Sequence, residues 1–126
     1  MKRTIVSSTS ALVLALLVAC AGRTPSAAVN NFYRAVEKGD TDTAISLITP
    51  EVVGLIGENK IRAGLQEQGL KIRQKGGIAS IELRDEAVVG EIATLTAVLT
   101  YGDGSSDTEK TKLRKMNGEW KIQPEK

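Results

Sequence analysis

The sequence predicts an α+β fold in which helices come first and cover one face of an antiparallel sheet. Between residues 25 and 75, apolar side chains recur at helical spacing, and cap residues and prolines separate the segments. After Gly76-Gly77 the apolar residues alternate with polar ones, which is the period of a half-buried strand. Asn117-Gly118 is a strong hairpin signal near the end, so the strands are expected to run antiparallel.

The first two helices have recognisable start and stop signals. Thr24 and Pro25 suit the N-cap and first position of a helix over residues 25–37, and Lys38-Gly39 suits its end. Asp40 or Thr41 caps a second helix, which cannot continue through a proline at position 50. The apolar residues expected to face the core are Ala28, Val29, Phe32, Tyr33, Val36, Ala44, Leu47 and Ile48.

Two further helical segments follow. Residues 49–56 repeat the cap-and-proline signal and predict one or two helical turns. Asn59 is the expected cap of a helix over residues 60–75, whose apolar side carries Ile61, Leu65 and Ile72. Gly64 and Gly69 each weaken this helix by about 1 kcal/mol relative to alanine. Either another backbone approaches these glycines closely, or the helix is mobile.

Four strands are predicted after the helices. Residues 81–84 alternate apolar and charged side chains, and residues 93–101 alternate apolar side chains with mostly threonines. Residues 102–104 supply turn chemistry, and a polar strand over residues 106–116 leads into the Asn-Gly hairpin. The last strand covers residues 119–123. The residues of the second strand expected to point inward are Ala93, Leu95, Ala97, Leu99 and Tyr101.

The N-terminal segment has the composition of a secretory leader. Lys2 and Arg3 precede an apolar run over residues 11–19, and small residues end the run. A membrane-spanning helix needs about twenty apolar residues, so this run is too short to span comfortably. We therefore expect residues 1–19 to be a signal peptide that is removed.

Residues 17–20, Leu-Val-Ala-Cys, resemble the lipobox of bacterial lipoproteins. In those proteins the cysteine sulfur receives a diacylglycerol, and a peptidase then cleaves before it. The resemblance implies cleavage between Ala19 and Cys20, lipidation at Cys20, a tether over residues 20–24 and a folded domain over residues 25–126. The alternative is a buried cysteine in an uncleaved anchor.

Composition excludes several classes of site. The sequence has no histidine and one cysteine, which excludes a Ser-His-Asp triad, a Cys-His pair, histidine-rich zinc sites and an internal disulfide. Without Lys2 and Arg3, the chain has fifteen basic and fifteen acidic residues. Net charge therefore gives no argument for nucleic acid binding. We expect no cofactor and no metal.

Three segments resemble a known group of proteins. They are Asn31–Ile48, with an aromatic pair and a Lys-Gly-Asp motif, Ala93–Gly104, and Leu113–Ile122, with a terminal Trp-Lys-Ile strand. These segments are similar to the bacterial lipoproteins of domain of unknown function 4878, within the nuclear transport factor 2-like superfamily. The resemblance implies a cone in which helices and a curved sheet enclose a hollow. It implies no activity, because that superfamily includes isomerases, dehydratases, scaffolds and binders.

Six residues are candidates for lining this hollow: Phe32, Tyr33, Leu95, Leu99, Tyr101 and Trp120. The two tyrosines and the tryptophan each have an apolar face and a hydrogen-bonding tip, so they can hold a ligand. The simpler explanation is core packing with the polar tips reaching the surface.

Enzymes of the superfamily typically pair an aspartate base with a tyrosine or histidine, and burial moves the pKa of the base toward the working pH. In this sequence Asp40, Asp42, Asp103 and Asp107 are expected in caps or turns. Asp85 and Glu86 are expected beside a strand end. No carboxylate is expected at an inward-facing strand position, so catalysis is not the expected function.

Basic residues are concentrated in two stretches. Residues 59–75 contain five basic residues against one acidic residue, and residues 110–126 contain six against two. These stretches are either a mixed solvated surface or a basic face turned toward anionic headgroups.

The expected function is that of a lipid-anchored, non-enzymatic protein of the bacterial envelope that binds a small apolar ligand or a protein partner. Ala21, which follows the cysteine, resembles the pattern that directs export to the outer membrane, facing the periplasm. Two alternatives stay open. One is an isomerase-like or dehydratase-like enzyme acting on a small apolar substrate in the cone. The other is a structural homodimer through the open sheet face.

Overall fold

The computed structural model describes residues 23–124. The predicted signal peptide, the cleavage site between Ala19 and Cys20, and the lipidation of Cys20 lie outside the described residues. Over the described part of the chain, no helix has the length and apolar character needed to cross a membrane.

Four helices come first, as the sequence predicts: α1 (Pro25–Lys38), α2 (Thr41–Ser46), α3 (Pro50–Ile56) and α4 (Glu58–Gln74). The Thr24 hydroxyl accepts a hydrogen bond from the Ala27 N–H at 3.0 Å, and Gly39 ends α1 in the left-handed region at φ 79°. Asp40 caps α2, because its carboxylate accepts the Thr43 N–H at 3.2 Å.

The start of α4 differs from the prediction. The helix begins at Glu58, and Gly57 rather than Asn59 occupies the N-cap position, with φ 100°. Glycine adopts this φ without strain, so it allows the chain to break between α3 and α4. The Glu58 carboxylate then lies in the first turn, where the helix dipole favours a negative charge. A glycine cap has no side-chain oxygen, and such an oxygen was the signal that pointed to Asn59.

Four strands form one antiparallel sheet in the order β1-β2-β3-β4. They are β1 (Ile78–Val89), β2 (Ile92–Tyr101), β3 (Ser106–Met116) and β4 (Glu119–Ile122). Strand β1 is longer than predicted, because it continues through a bulge between Arg84 and Ala87. Asp85, at φ 57°, and Glu86 therefore lie within the strand at this bulge and not beside its end. The bulge interrupts the alternation, which is why the sequence pattern ends earlier than the pairing.

The core lies between the helices and one face of the sheet. Leu95 and Leu99 of β2 are each 1% exposed, and Val36 of α1 is also 1% exposed. The helical half is joined to the β4 edge of the sheet, because Ile48 forms a parallel bridge with Ile122. The α+β class and the order of elements are thus confirmed.

The domain has two ends, which we name by their distance from the start of α1. At the proximal end, the Ser26 hydroxyl donates to the Glu86 carboxylate at 2.9 Å, near the hairpin that joins β1 to β2. At the distal end, the Arg73 guanidinium donates to the Glu37 carbonyl oxygen at 2.9 Å. There the Asp103 N–H also donates to a carbonyl oxygen just after α4 at 2.8 Å. The distal end thus joins the end of α4 to the turn between β2 and β3.

Candidate functional site

A cleft of about 390 Å³ opens between α1, α4, β3 and the chain after β4. It is lined by Phe32, Tyr33, Gln68, Glu109, Lys110, Thr111, Lys112, Ile122, Gln123 and Pro124. Clefts of this size are typical of small-ligand sites, in which apolar surface is combined with a few polar groups. The cleft is therefore the candidate site.

The pairing of β3 with β2 determines which side chains face the helices. Leu95, Ala97 and Leu99 are inward-facing residues of β2, and they pair with Thr111, Glu109 and Asp107 in that order. Directly opposed residues in an antiparallel pair point to the same face of the sheet. Two carboxylates and one hydroxyl of β3 therefore face the helical side.

The prediction that no carboxylate would occupy an inward-facing strand position is wrong, and so is the placement of Asp107 in a turn. Strand β3 has polar residues on both faces, so its own alternation does not show which face is inward. The turn between β2 and β3 does indicate which face of β3 is inward. Thr100 pairs with Ser106 around it, and this register already places Asp107 opposite Leu99.

Tyr101 and Asp107 form a hydrogen-bonded pair at the distal end of the sheet. The Tyr101 hydroxyl donates to Asp107 Oδ2 at 2.8 Å. Lys75 Nζ lies 3.6 Å from the same oxygen and 4.7 Å from the centre of the Tyr101 ring. Burial raises the pKa of Tyr101, and the hydrogen bond to Asp107 raises it further. The phenol is therefore held in its neutral form.

Tyr33 is a buried residue of the cleft with a polar group. Its side chain is 7% exposed, and its ring packs edge-to-face on Phe32 with ring centres 5.3 Å apart. Burial, followed by the negative charge of Glu109, raises the pKa of Tyr33 to about 12, while the Thr111 hydroxyl acts in the opposite direction. Near neutral pH the Tyr33 hydroxyl is therefore protonated and able to donate a hydrogen bond.

The six residues predicted to line a hollow lie in four different places. Phe32 and Tyr33 line the cleft. Leu95 and Leu99 are core residues, and Tyr101 is buried at the distal end against Asp107. Trp120 is buried elsewhere in the core, with Lys115 Nζ 5.9 Å from its ring centre.

Several lining residues were not among the predicted ones, notably Gln68, Glu109, Thr111 and Gln123. Gln68 is exposed on α4, and nothing in the sequence distinguishes it from its polar neighbours. The side-chain oxygen Oε1 of Gln123 is buried and has no hydrogen-bond partner. A bound donor group would satisfy this acceptor. Within residues 23–124, no group of three Cys, Asp or Glu side chains is placed to hold a metal ion.

Comparison with known proteins identifies the family and the fold. The family model of the domain of unknown function DUF4878 matches residues 18–123. A Campylobacter jejuni structure, whose description proposes a nuclear transport factor 2-like (NTF2-like) transpeptidase, is similar with a TM-score of 0.70 and 18% identity, over 81% of this chain and 99% of that chain. A SEC-C-motif-containing protein from Rhodopseudomonas palustris is similar with a TM-score of 0.59 and 18% identity, over 86% of this chain and 82% of that chain.

No curated protein matches this chain. At these identities the two solved structures show the fold and not the activity. Both the helix-then-sheet order and the extent of the family match agree with the sequence resemblance. The chain belongs to the DUF4878 family and has an NTF2-like α+β fold.

Proposed function

We propose that this protein is a lipid-anchored binding module of the bacterial envelope whose cleft holds a small ligand. The observation that carries the proposal is the open cleft beside Tyr33, which combines apolar walls with the buried Gln123 side-chain oxygen, an acceptor that lacks a protein partner. The anchor rests on the leader and on Cys20, as argued from residues 1–20.

The side chains of the lining that face the helices favour an amphipathic ligand with a cationic or hydrogen-bond-donating group, because Lys110 and Lys112 pair with Thr96 and Thr94 and so face the opposite side of the sheet. Phe32, Ile122 and Pro124 supply apolar surface. Glu109 faces the helical side and makes no ion pair with any residue of the described chain. Because Tyr33 next to it stays neutral, the Glu109 carboxylate is the charged acceptor available to a ligand amine.

An enzymatic role has one observation in its favour, the Tyr101–Asp107 pair on the helical side of the sheet. Three features argue against it. The Asp107 side chain is 47% exposed and is already engaged by Tyr101 and Lys75, whereas a general base needs burial to move its pKa toward neutrality. The sequence has no histidine to activate a hydroxyl. Tyr33 and Thr111 supply the only hydroxyl groups among the residues that line the cleft. We therefore do not extend the transpeptidase description of the Campylobacter jejuni protein to this chain.

The test is binding of primary alkylamines and of the matching alkyl alcohols to residues 24–126, followed by NMR. We expect the amines to shift the amide signals of Tyr33 and Thr111, and Glu109→Gln to weaken amine binding about fivefold, the effect of roughly 1 kcal/mol for a partly exposed charge pair. Glu119→Gln is the matched control, because Glu119 is also an exposed glutamate but lies outside the cleft.

Three results would count against the proposal. Equal binding of amines and alcohols would remove the role of Glu109. Equal weakening by Glu109→Gln and Glu119→Gln would show a nonspecific charge effect. If the protein converts a bound compound, and if Asp107→Asn abolishes this conversion, the enzymatic alternative is established.

A further inference from the structure

The hairpin between β1 and β2 exposes aliphatic side chains at its tip. Val88 is 51% exposed, Val89 is 80% exposed and Ile92 is 39% exposed. They surround the turn at Gly90, which has φ 62°. Side chains of this kind at the end of a long hairpin leave apolar surface in water with no partner among the described residues.

This tip lies at the proximal end, where the chain enters the domain. Arg23 lines a shallow surface cavity together with Asn117, Gly118 and Glu119 of the turn between β3 and β4. Next to that turn, the Lys115 N–H donates to the Glu91 carbonyl oxygen at 2.7 Å, which joins the turn to the hairpin tip. The entry point of the chain and the exposed aliphatic residues therefore share one end of the molecule.

The segment between Cys20 and Arg23 is short. Cys20 is three residues away, so at most about 11 Å of extended chain separates the two α-carbons. A bilayer holding acyl chains on Cys20 must then lie next to the proximal end.

We propose that the β1–β2 hairpin tip, residues 88–92, enters the interfacial layer of the bilayer beside the acyl anchor. This inference rests on the anchoring that the proposed function includes. The occupant of the apolar tip is lipid because the short connection leaves the membrane as the nearest surface. Aliphatic tip residues transfer favourably from water to the acyl boundary.

Basic residues are not in excess at the proximal end, so insertion does not require anionic lipid. The basic residues there are Arg23, Arg114 and Lys115, and the acidic ones are Glu86, Glu91 and Glu119. Arg114 is also paired with Glu51 at 3.6 Å. Insertion is therefore driven by the transfer of apolar side chains out of water and not by attraction to charged headgroups.

The basic stretch of α4 does not face the membrane in this orientation. Arg62 contacts Asp42 at 2.8 Å, just after the end of α1, and Arg73 contacts Glu37. Both contacts belong to the distal end. The expectation that residues 59–75 face the headgroups therefore does not fit this orientation, in which the bilayer lies next to Arg23 at the opposite end of the domain. Tyr101, at the distal end, lies nine residues along β2 from Ile92, about 30 Å farther from the bilayer.

The test uses the mature lipoprotein, reconstituted into vesicles of phosphatidylethanolamine and phosphatidylglycerol. Val89→Cys provides a thiol for an environment-sensitive fluorophore, because acylation blocks Cys20. Thr108→Cys, exposed on β3 toward the distal end, is the matched control. We expect phospholipid carrying a spin label to quench the fluorophore at position 89 at least about twofold more than the one at position 108. Val88→Asp should reduce the quenching at position 89, and replacing phosphatidylglycerol by phosphatidylcholine should not.

The outcomes separate this inference from the anchor. Mass spectrometry first shows whether Cys20 carries acyl chains, and their absence overturns the anchoring and this inference with it. If Cys20 is acylated but position 89 is quenched no more than position 108, the tip inference is overturned and the anchor stands. A fluorophore at position 89 that is shielded from water but unquenched by lipid points to a second copy on the tip and equally overturns it.

Discussion

Gly69 offers the sharpest test of how the helices pack. A Cβ added at Gly69 of α4 would lie 2.5 Å from the Val36 carbonyl oxygen of α1, whereas ordinary contacts begin at 3.4 Å. Alanine at this position therefore requires the two helix backbones to separate by roughly 0.9 Å. The same carbonyl accepts the Gly39 N–H at 3.1 Å, so the shift also disturbs the end of α1.

Two effects of the Gly69→Ala substitution oppose each other. Alanine gains about 1 kcal/mol of helix propensity over glycine, whereas forcing a well-packed contact apart costs typically 1–3 kcal/mol. We expect the clash to dominate, since the neighbouring atom is backbone, and the free energy of unfolding to fall by about 1–2 kcal/mol. Gly64→Ala is the matched control in the same helix. No atom lies within 4 Å of its added Cβ, so only the propensity gain of about 0.5–1 kcal/mol applies.

The assay is urea unfolding of residues 24–126, followed by the fluorescence of Trp120, the only tryptophan in the sequence and 5% exposed in the fold. If the free energy of unfolding depends equally steeply on urea concentration in all variants, the substitutions change stability and not the amount of surface exposed on unfolding. The reasoning is refuted if the Gly69→Ala domain is as stable as the Gly64→Ala domain, because α4 would then not be held against α1 by a backbone contact.

Three further predictions concern the core, Tyr33 and the anchor. Leu95→Ala should lower the free energy of unfolding by roughly 2–5 kcal/mol and Thr96→Ala by under about 1 kcal/mol, as urea unfolding would show; the reverse order would mean that the sheet is inside out. Because the pKa of Tyr33 is raised from 10.0 to about 12, the unfolded chain releases this proton first, so stability should fall as pH rises from about 10 to about 12. Tyr33→Phe should make that alkaline decline shallower in the same assay, and an unchanged slope would contradict the assignment. The wild-type lipoprotein should partition into detergent and Cys20→Ser into water, and identical partitioning would end the lipoprotein hypothesis.

How much could be predicted from the sequence differs between neighbouring elements for a physical reason. Strand β2 could be assigned to its face, because apolar residues alternate with threonines from Ala93 to Tyr101. Strand β3 could not, because polar residues occupy both of its faces and the charge of a side chain does not reveal where it points. The glycines of α4 presented a choice between close approach and mobility, which local sequence cannot resolve. The structure assigns close approach to Gly69 and open space to Gly64, since the difference depends on where α1 lies.

The candidate site depends on the same register that builds the core. Glu109 faces the helical side only because it pairs with Ala97, a fully buried residue of β2. A slip of β3 by one residue would turn Glu109 and Thr111 to the outer face and bring lysines inward in their place. The apolar side of β2 makes such a slip unfavourable, because buried lysines would lose their hydration without a partner. The position of the Glu109 carboxylate in the cleft is therefore a consequence of core packing, and within β3 itself only the fully buried Leu113 marks the inward face.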